Sequence, residues 1–322
     1  MNLTEEIKAK ALELGFDLVG ITDTSAIEAR QSQYLEDWLK QGFAAQMNYM
    51  QRNFEKRINP CELLENAQSV ICVGLNYNRA YPKQKTPMPA KPLGRISTHA
   101  QYQDYHGFIK KLLRKLADFI IALTDKDTQF KICVDTVPLA ERALAQRAGL
   151  GFIGKNHMLI NPKLGSQIFH GEIITTLKLL PDKPMKNHCP DCDKCIRACP
   201  TGALNHQGRF DANKCISYLT IEHKAETAPE LAQKIGDRLF GCDECVRACP
   251  YQVNSQLCQN RDLKFYPERS ELELKRVLNM SESDFKADFA DSPVERLTLN
   301  RLKANAEICL KNISKLRLHH VQ

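Results

Sequence analysis

The stretch at residues 187–203, NHCPDCDKCIRACPTGA, places Cys189, Cys192, Cys195 and Cys199 close together and follows the last with Pro200. An incomplete echo comes at residues 241–252, GCDECVRACPYQ, with Cys242, Cys245, Cys249 and Pro250. Aligned on their Cys-Pro ends, Cys199 matches Cys249, Cys195 matches Cys245 and Cys192 matches Cys242. Leu239 then stands opposite Cys189, so the second run lacks its first ligand. Between the runs lies Cys215, in DANKCISYL, which can replace it. In two-cluster ferredoxins the fourth cysteine of each run binds the other cluster. That rule gives one set of Cys189, Cys192, Cys195 and Cys249, and a second of Cys242, Cys245, Cys199 and Cys215. Each is four thiolates, the donor set of a [4Fe–4S] cube. The proline after the last cysteine of each run turns the chain away. A zinc ribbon is the competing reading. It uses two CxxC pairs separated by about 15–20 residues and has no use for CxxxCP.

Composition agrees with metal rather than disulfides. The chain has 322 residues and 13 cysteines, is 26% charged, and carries a net charge of +7. Its mean hydropathy is −0.40 and its pI about 8.7. The start, MNLTEEIKAKALELGF, has a helical period and acids in the first turn, without the basic and apolar regions of a secretory signal. No apolar run is long enough to span a bilayer. A cytoplasmic protein is expected, where thiols stay reduced. The positive charge permits a polyanionic partner, or simply a mildly basic surface. Of the other cysteines, Cys72 and Cys133 sit in apolar runs and are expected to pack as small hydrophobes.

The expected fold class is α+β in three parts. Residues 1–180 read as an α/β domain, 181–258 as the two-cluster module, and 259–322 as a short helical C-terminal region. SVICVGLNY, FKICVDTVP and GEIITTLKLL are strand-like, and YHGFIKKLLRKLADFIIAL is helical. PLAERALAQRAGL is a further helix ending at Gly149, and ELELKRVLNM and RLKANAEICLKNISKLRL suggest helices in the tail.

GLGFIGKN imitates two nucleotide motifs, with Gly149, Gly151 and Gly154 at dinucleotide spacing and Lys155 after the last glycine. Both motifs require the glycines to follow a strand and open a helix. Here they follow a helix, and Asn156 stands where Ser or Thr would bind Mg²⁺, so a helix cap and a tight turn are expected instead. Asp135 follows the strand KICV and precedes Pro138. The end of a strand is where α/β folds put chemistry, although Asp135 could equally cap the next helix. QDYHG supplies Asp104, Tyr105 and His106, the start of a cobalamin Asp-x-His-x-x-Gly motif, but Ile109 occupies the glycine position. His106 is therefore not expected as a lower axial ligand.

The ordered set NYMQRNFEKRINP, GRISTHAQYQDYH, VDTVPLAERALAQRAGLGFIGKN, CPDCDKCIRACPTGAL, CISYLTIEHK and GCDECVRACPYQ resembles the epoxyqueuosine reductase family over roughly residues 1–310. The resemblance implies a nitroreductase-like α/β domain that binds cobalamin, with a ferredoxin-like module holding two [4Fe–4S] clusters beside it. It implies reduction of epoxyqueuosine to queuosine at the wobble position of the tRNAs for tyrosine, histidine, asparagine and aspartate. The proton donor falls on Asp135. Corrin-lining positions fall on Arg57, Ser97, Asp135, Leu159, His170, Glu222 and Arg247, several acting through backbone. The implied partners are a tRNA anticodon stem-loop and an electron donor, with no membrane and a monomeric chain. Family members commonly carry a helical-repeat extension, of which SPVERLTLNRLKANAEICLKN matches the start, with Ile308 and Cys309 replacing small residues. To donate a proton, Asp135 must be neutral at the working moment, and burial is the natural device. A reductive dehalogenase-like corrinoid enzyme and a non-catalytic two-cluster electron carrier are the alternatives.

Overall fold

In the computed structural model, residues 2–80, 91–124, 127–189 and 191–319 are described. The chain divides into two compact units, each assembled from separate segments. The first comprises Met1–Asn78, Tyr105–Asp193 and Cys249–Asn260, and the second Arg79–Asp104, Lys194–Ala248 and Arg261–Gln322. In chain order the strands are β1 (Leu18–Asp23), β2 (Ser69–Asn76), β3 (Leu93–Ile96), β4 (Phe130–Cys133), β5 (Phe152–Ile153), β6 (Leu159–Ile160), β7 (Ile168–Thr175), β8 (Arg238–Phe240) and β9 (Glu271–Glu273).

The first unit is built on a sheet of order β1-β2-β7-β4, and every neighbouring pair in it is antiparallel. All eight residues of β2 are buried. That explains why SVICVGLN reads as a continuous apolar run rather than an alternating one: helices cover both faces of the sheet's centre. On one face lies the helix Tyr105–Leu123, whose buried residues Ile109, Leu112, Leu113, Leu116 and Ile120 recur at helical spacing. It packs so closely that a Cβ on Gly171 of β7 would stand 2.7 Å from Ile109 and 3.0 Å from Leu113. On the other face the short helix Glu141–Arg147 packs through Leu144 and Ala145 against Val70, Cys72, Cys133 and Ile174. Cys72 and Cys133 are thus fully buried core residues, as expected.

Gly20 of β1 lets the carbonyl of Ala148, at the end of that helix, touch the strand; a Cβ there would overlap the carbonyl oxygen. Gly20→Ala is expected to cost about 1–3 kcal/mol of stability, read as a lower denaturant midpoint with an unchanged slope.

The glycine-rich segment behaves as a cap and a turn. Gly149 follows the helix at φ +78 and donates its N–H to the carbonyl of Gln146. The chain then enters β5, which pairs antiparallel with β6. No helix opens there, so the geometry of a phosphate loop is missing.

The second unit holds a sheet of order β8-β3-β9, with β3 parallel to β8 and antiparallel to β9. One expectation is corrected here. Glu271–Glu273 is a strand and not the start of a helix, because it pairs with Leu93–Arg95; the helix begins only at Leu274. The helix expected near the C-terminus is present as Leu299–His319. Its buried Asn305 donates to the carbonyls of Thr220 (2.8 Å) and Leu239 (3.1 Å), and Asn312 donates to Ala232 (2.8 Å) and Gly236 (3.1 Å). Leu239, standing where a cysteine would complete the second run, is fully buried. No helix among the described residues is long and apolar enough to cross a membrane.

Candidate active site

Asp135 lies two residues beyond the end of β4, at φ +50. That left-handed conformation is uncommon outside glycine and needs local support. Its N–H donates to Glu141 Oε1 at 2.5 Å, and its Oδ2 lies 2.9 Å from His106 Nε2. The residue does not cap the following helix, whose N-cap is Ala140 without a side-chain hydrogen bond. Nor does the strand-end rule for parallel sheets apply, since β4 belongs to an antiparallel one. The Asp135 side chain is 52% exposed, against 7% for His106. The burial expected of Asp135 is therefore corrected: more than half of its side chain is exposed in the chain itself.

His106 begins a run of aromatic rings. Tyr105 stacks on His106 at 4.1 Å and on Phe169 at 4.1 Å, and Phe169 stacks on Tyr77 at 4.1 Å. Beneath Asp135 sit five ionisable groups. Arg57 and Arg142 face both Asp135 and Glu141, and Arg142 donates to the carbonyl of His157. His170, on β7, is driven down to about 4 by burial and next by Arg142, so it is neutral at ordinary pH. Glu141 is pushed up to about 7 by burial and next by Asp135, while Glu172 is raised well above the usual carboxyl range by burial and then by Glu141. Arg57 Nε and His170 Nδ1 are buried without a hydrogen-bond partner. Unmet polar atoms of this kind suit a ligand rimmed with amide groups, as a corrin is. Leu159, by contrast, is packed in the apolar core beside Leu144 and Ile174, so only its backbone is available to a ligand.

In the first unit, Cys249 packs with Cys189 around Phe152 and Ile160, and both Cys189 and Cys192 act electrostatically on its thiol. The last cysteine of the second run thus lies among the first cysteines of the first run. In the second unit, Cys245 is surrounded by Cys242, Cys215 and Cys199. Burial pushes the Cys242 thiol up to about 12 and raises Cys215 and Cys245, with the neighbouring cysteines adding to it. Thiols gathered this way ionise only against added positive charge, which iron supplies. Cys199 differs: burial opposes its ionisation, but N–H groups of Leu204, Thr201 and Ala203 and the Thr201 hydroxyl point at the sulfur and hold its pKa below the usual range. Among the described residues no three ligand side chains converge as on a single ion. A cube spreads its four ligands over four irons, so the donor set fits that group.

The other nominated positions lie in the second unit. Ser97 is buried and donates to Asp243 Oδ1 at 2.5 Å, while the N–H and hydroxyl of Thr98 bind the other oxygen, Oδ2, at 2.8 and 2.9 Å. Ser97 thereby braces the loop between Cys242 and Cys245. Glu222 caps the C-terminus of the helix Ile216–Ile221, and Arg247 ends the helix Glu244–Arg247 and acts on Glu244. Sequence reading missed Glu141, Glu172, Arg142 and Asp243. Glu172 alone left a signal, a charged residue inside the apolar strand GEIITT.

Two family models match: a 4Fe-4S double cluster binding domain over residues 188–252, and epoxyqueuosine reductase QueG, DUF1730, over residues 57–136. The epoxyqueuosine reductase of Leadbetterella byssophila is 38% identical over 302 residues, covering 94% of this chain and 96% of that one. A crystal structure of an epoxyqueuosine reductase with an epoxyqueuosine-modified tRNA-Tyr stem loop superimposes with a TM-score of 0.87 at 31% identity, over 96% of this chain and 81% of that one. The Bacillus subtilis enzyme, with its catalytic aspartate loop swung out of the active site, gives a TM-score of 0.88 at 30% identity, over 96% and 81%. An identity of 38% sustained over nearly the full length of both chains, with a double-cluster domain where the cysteine runs lie, places this chain in the epoxyqueuosine reductase family.

Proposed function

We propose that this protein reduces epoxyqueuosine to queuosine at the wobble position of tRNA. The observation that carries the reading is the family membership across 94% of the chain. The reaction breaks both C–O bonds of the epoxide, consumes two electrons and two protons, and leaves an alkene and water. Bound clusters would supply electrons one at a time, and bound cobalamin would supply a centre for two-electron reduction. Cys189, Cys192, Cys195 and Cys249 would hold one cluster, and Cys242, Cys245, Cys199 and Cys215 the other. The grouping of Cys249 with Cys189 and Cys192 supports this division. Asp135 gives a proton to the departing oxygen, and its contact with His106 supports that role. Arg57 and His170 would meet the corrin with their unpartnered nitrogens, Ser97, Leu159, Glu222 and Arg247 would line it, and Asp135 would lie beside it. By role the chain divides into 1–180 for the corrin, 181–258 for the clusters, and 259–322 as their helical support. It works as a monomer in the cytoplasm with a separate electron donor.

Deleting the gene is expected to leave epoxyqueuosine in place of queuosine in tRNA, read by mass analysis of nucleosides; unchanged queuosine would count against the reading. The net charge of +7 also predicts salt-sensitive RNA binding. If about six phosphates are neutralised, stem-loop affinity should fall roughly 10³-fold between about 50 and 200 mM salt.

A further inference from the structure

Glu172 is out of place in the central sheet. It lies on β7 directly between Cys72 of β2 and Cys133 of β4, and it is fully buried. Neither of its carboxyl oxygens has a hydrogen-bond donor. The group that faces it is another carboxyl, that of Glu141. Two carboxylates have no donor between them, and a single shared proton supplies one, as in other acid pairs that cannot both ionise. Glu141 in turn accepts the N–H of Asp135, whose left-handed backbone needs holding.

We propose that Glu141 and Glu172 are positioning residues for Asp135: a buried carboxyl pair sharing one proton, in which Glu141 grips the Asp135 backbone and keeps its carboxyl turned to His106. Asp135 as the acid rests on the function proposed above; the pair itself does not.

Around Glu141 stand Asp135 from the loop, Arg57 from the helix Phe54–Ile58, Arg142 beside it and His106 from the long helix. Around Glu172 stand Glu141 and Asp135, with the Cys72 and Cys133 thiols on the flanking strands. Burial is the largest influence on both carboxyls. Glu141 rises from 4.5 to about 7 on folding. The folded chain therefore binds more protons than the unfolded one in that window. The pair's contribution to stability is fully present below 4.5 and falls as pH rises through the window, and Glu172 extends the loss to higher pH.

The test uses the full chain purified anaerobically, with Glu172→Gln, Glu141→Gln and Glu141→Ala. The amide that Glu172→Gln introduces donates permanently to an ionised Glu141, so this variant should lose part of the wild-type fall in unfolding midpoint between about pH 5 and pH 8. Glu141→Ala should raise hydrogen exchange of the Asp135 amide about tenfold and lower kcat with KM for tRNA unchanged. Glu141→Gln keeps an accepting oxygen and should restore both. An unchanged pH slope in Glu172→Gln, or wild-type exchange at Asp135 in Glu141→Ala, would overturn the proposal. If wild-type protein fails to turn over epoxyqueuosine, the functional reading falls, while exchange and stability still decide the question of the pair.

Discussion

Asp135→Asn is expected to lower turnover of epoxyqueuosine by ~10²–10⁴-fold, the usual worth of a positioned general acid. The substitution keeps the size of the side chain and leaves an oxygen to face His106 Nε2, which lies 2.9 Å from Oδ2 in the wild type. The bond from the Asp135 N–H to Glu141 is backbone-based and survives. What disappears is the transferable proton. Iron content, corrin binding and stem-loop affinity should therefore stay at wild-type levels while kcat falls. Normal turnover in this variant would remove Asp135 from the chemistry. Loss of corrin binding together with turnover would make it a ligand-holding residue instead.

The second large effect concerns Cys215. It is the ligand that the repeat alone does not provide, and it lies just before the helix Ile216–Ile221, facing Cys199, Cys242 and Cys245. Cys215→Ala leaves three thiolates where a cube needs four. Iron is expected to drop from about eight to about four per chain, with loss of one cluster's signal on reduction and of turnover. Cys72→Ala is the control, because Cys72 lies fully buried in the core, remote in sequence from both runs. It should cost stability alone and keep all the iron. Should Cys215→Ala retain a full complement while Cys258→Ala or Cys309→Ala loses half, the crosswise assignment is wrong.

The parts of this protein that sequence discloses are those governed by local rules. Cysteine spacing implies the cluster runs, and apolar spacing marks a helix whose structural bounds are Tyr105–Leu123. The helix before Gly149 likewise marks the glycines as a cap and turn. Elements held by distant partners were not legible. β9 is strand only because Leu93–Arg95 lies alongside it, and nothing in ELELKRVLNM announces that pairing. The expected linear division also gave no hint that residues 79–104 and 261–322 cluster with 194–248. Position alone left Asp135 divided between a strand-end site and a helix cap, and the family resemblance nominated it; its distinguishing features, the left-handed backbone and the bond to Glu141, are not visible in a string of letters. The Glu141–Glu172 pair is of the same kind, since the two residues meet only because helix 141–147 packs on β7.

One measurement reaches the centre of the account. Protein carrying about eight irons is incubated anaerobically with cobalamin, a strong reductant and an epoxyqueuosine-modified stem loop, and the nucleosides are resolved by mass. Queuosine should form, and only when cobalamin is present. Epoxyqueuosine left intact by fully iron- and corrin-loaded protein would contradict the account.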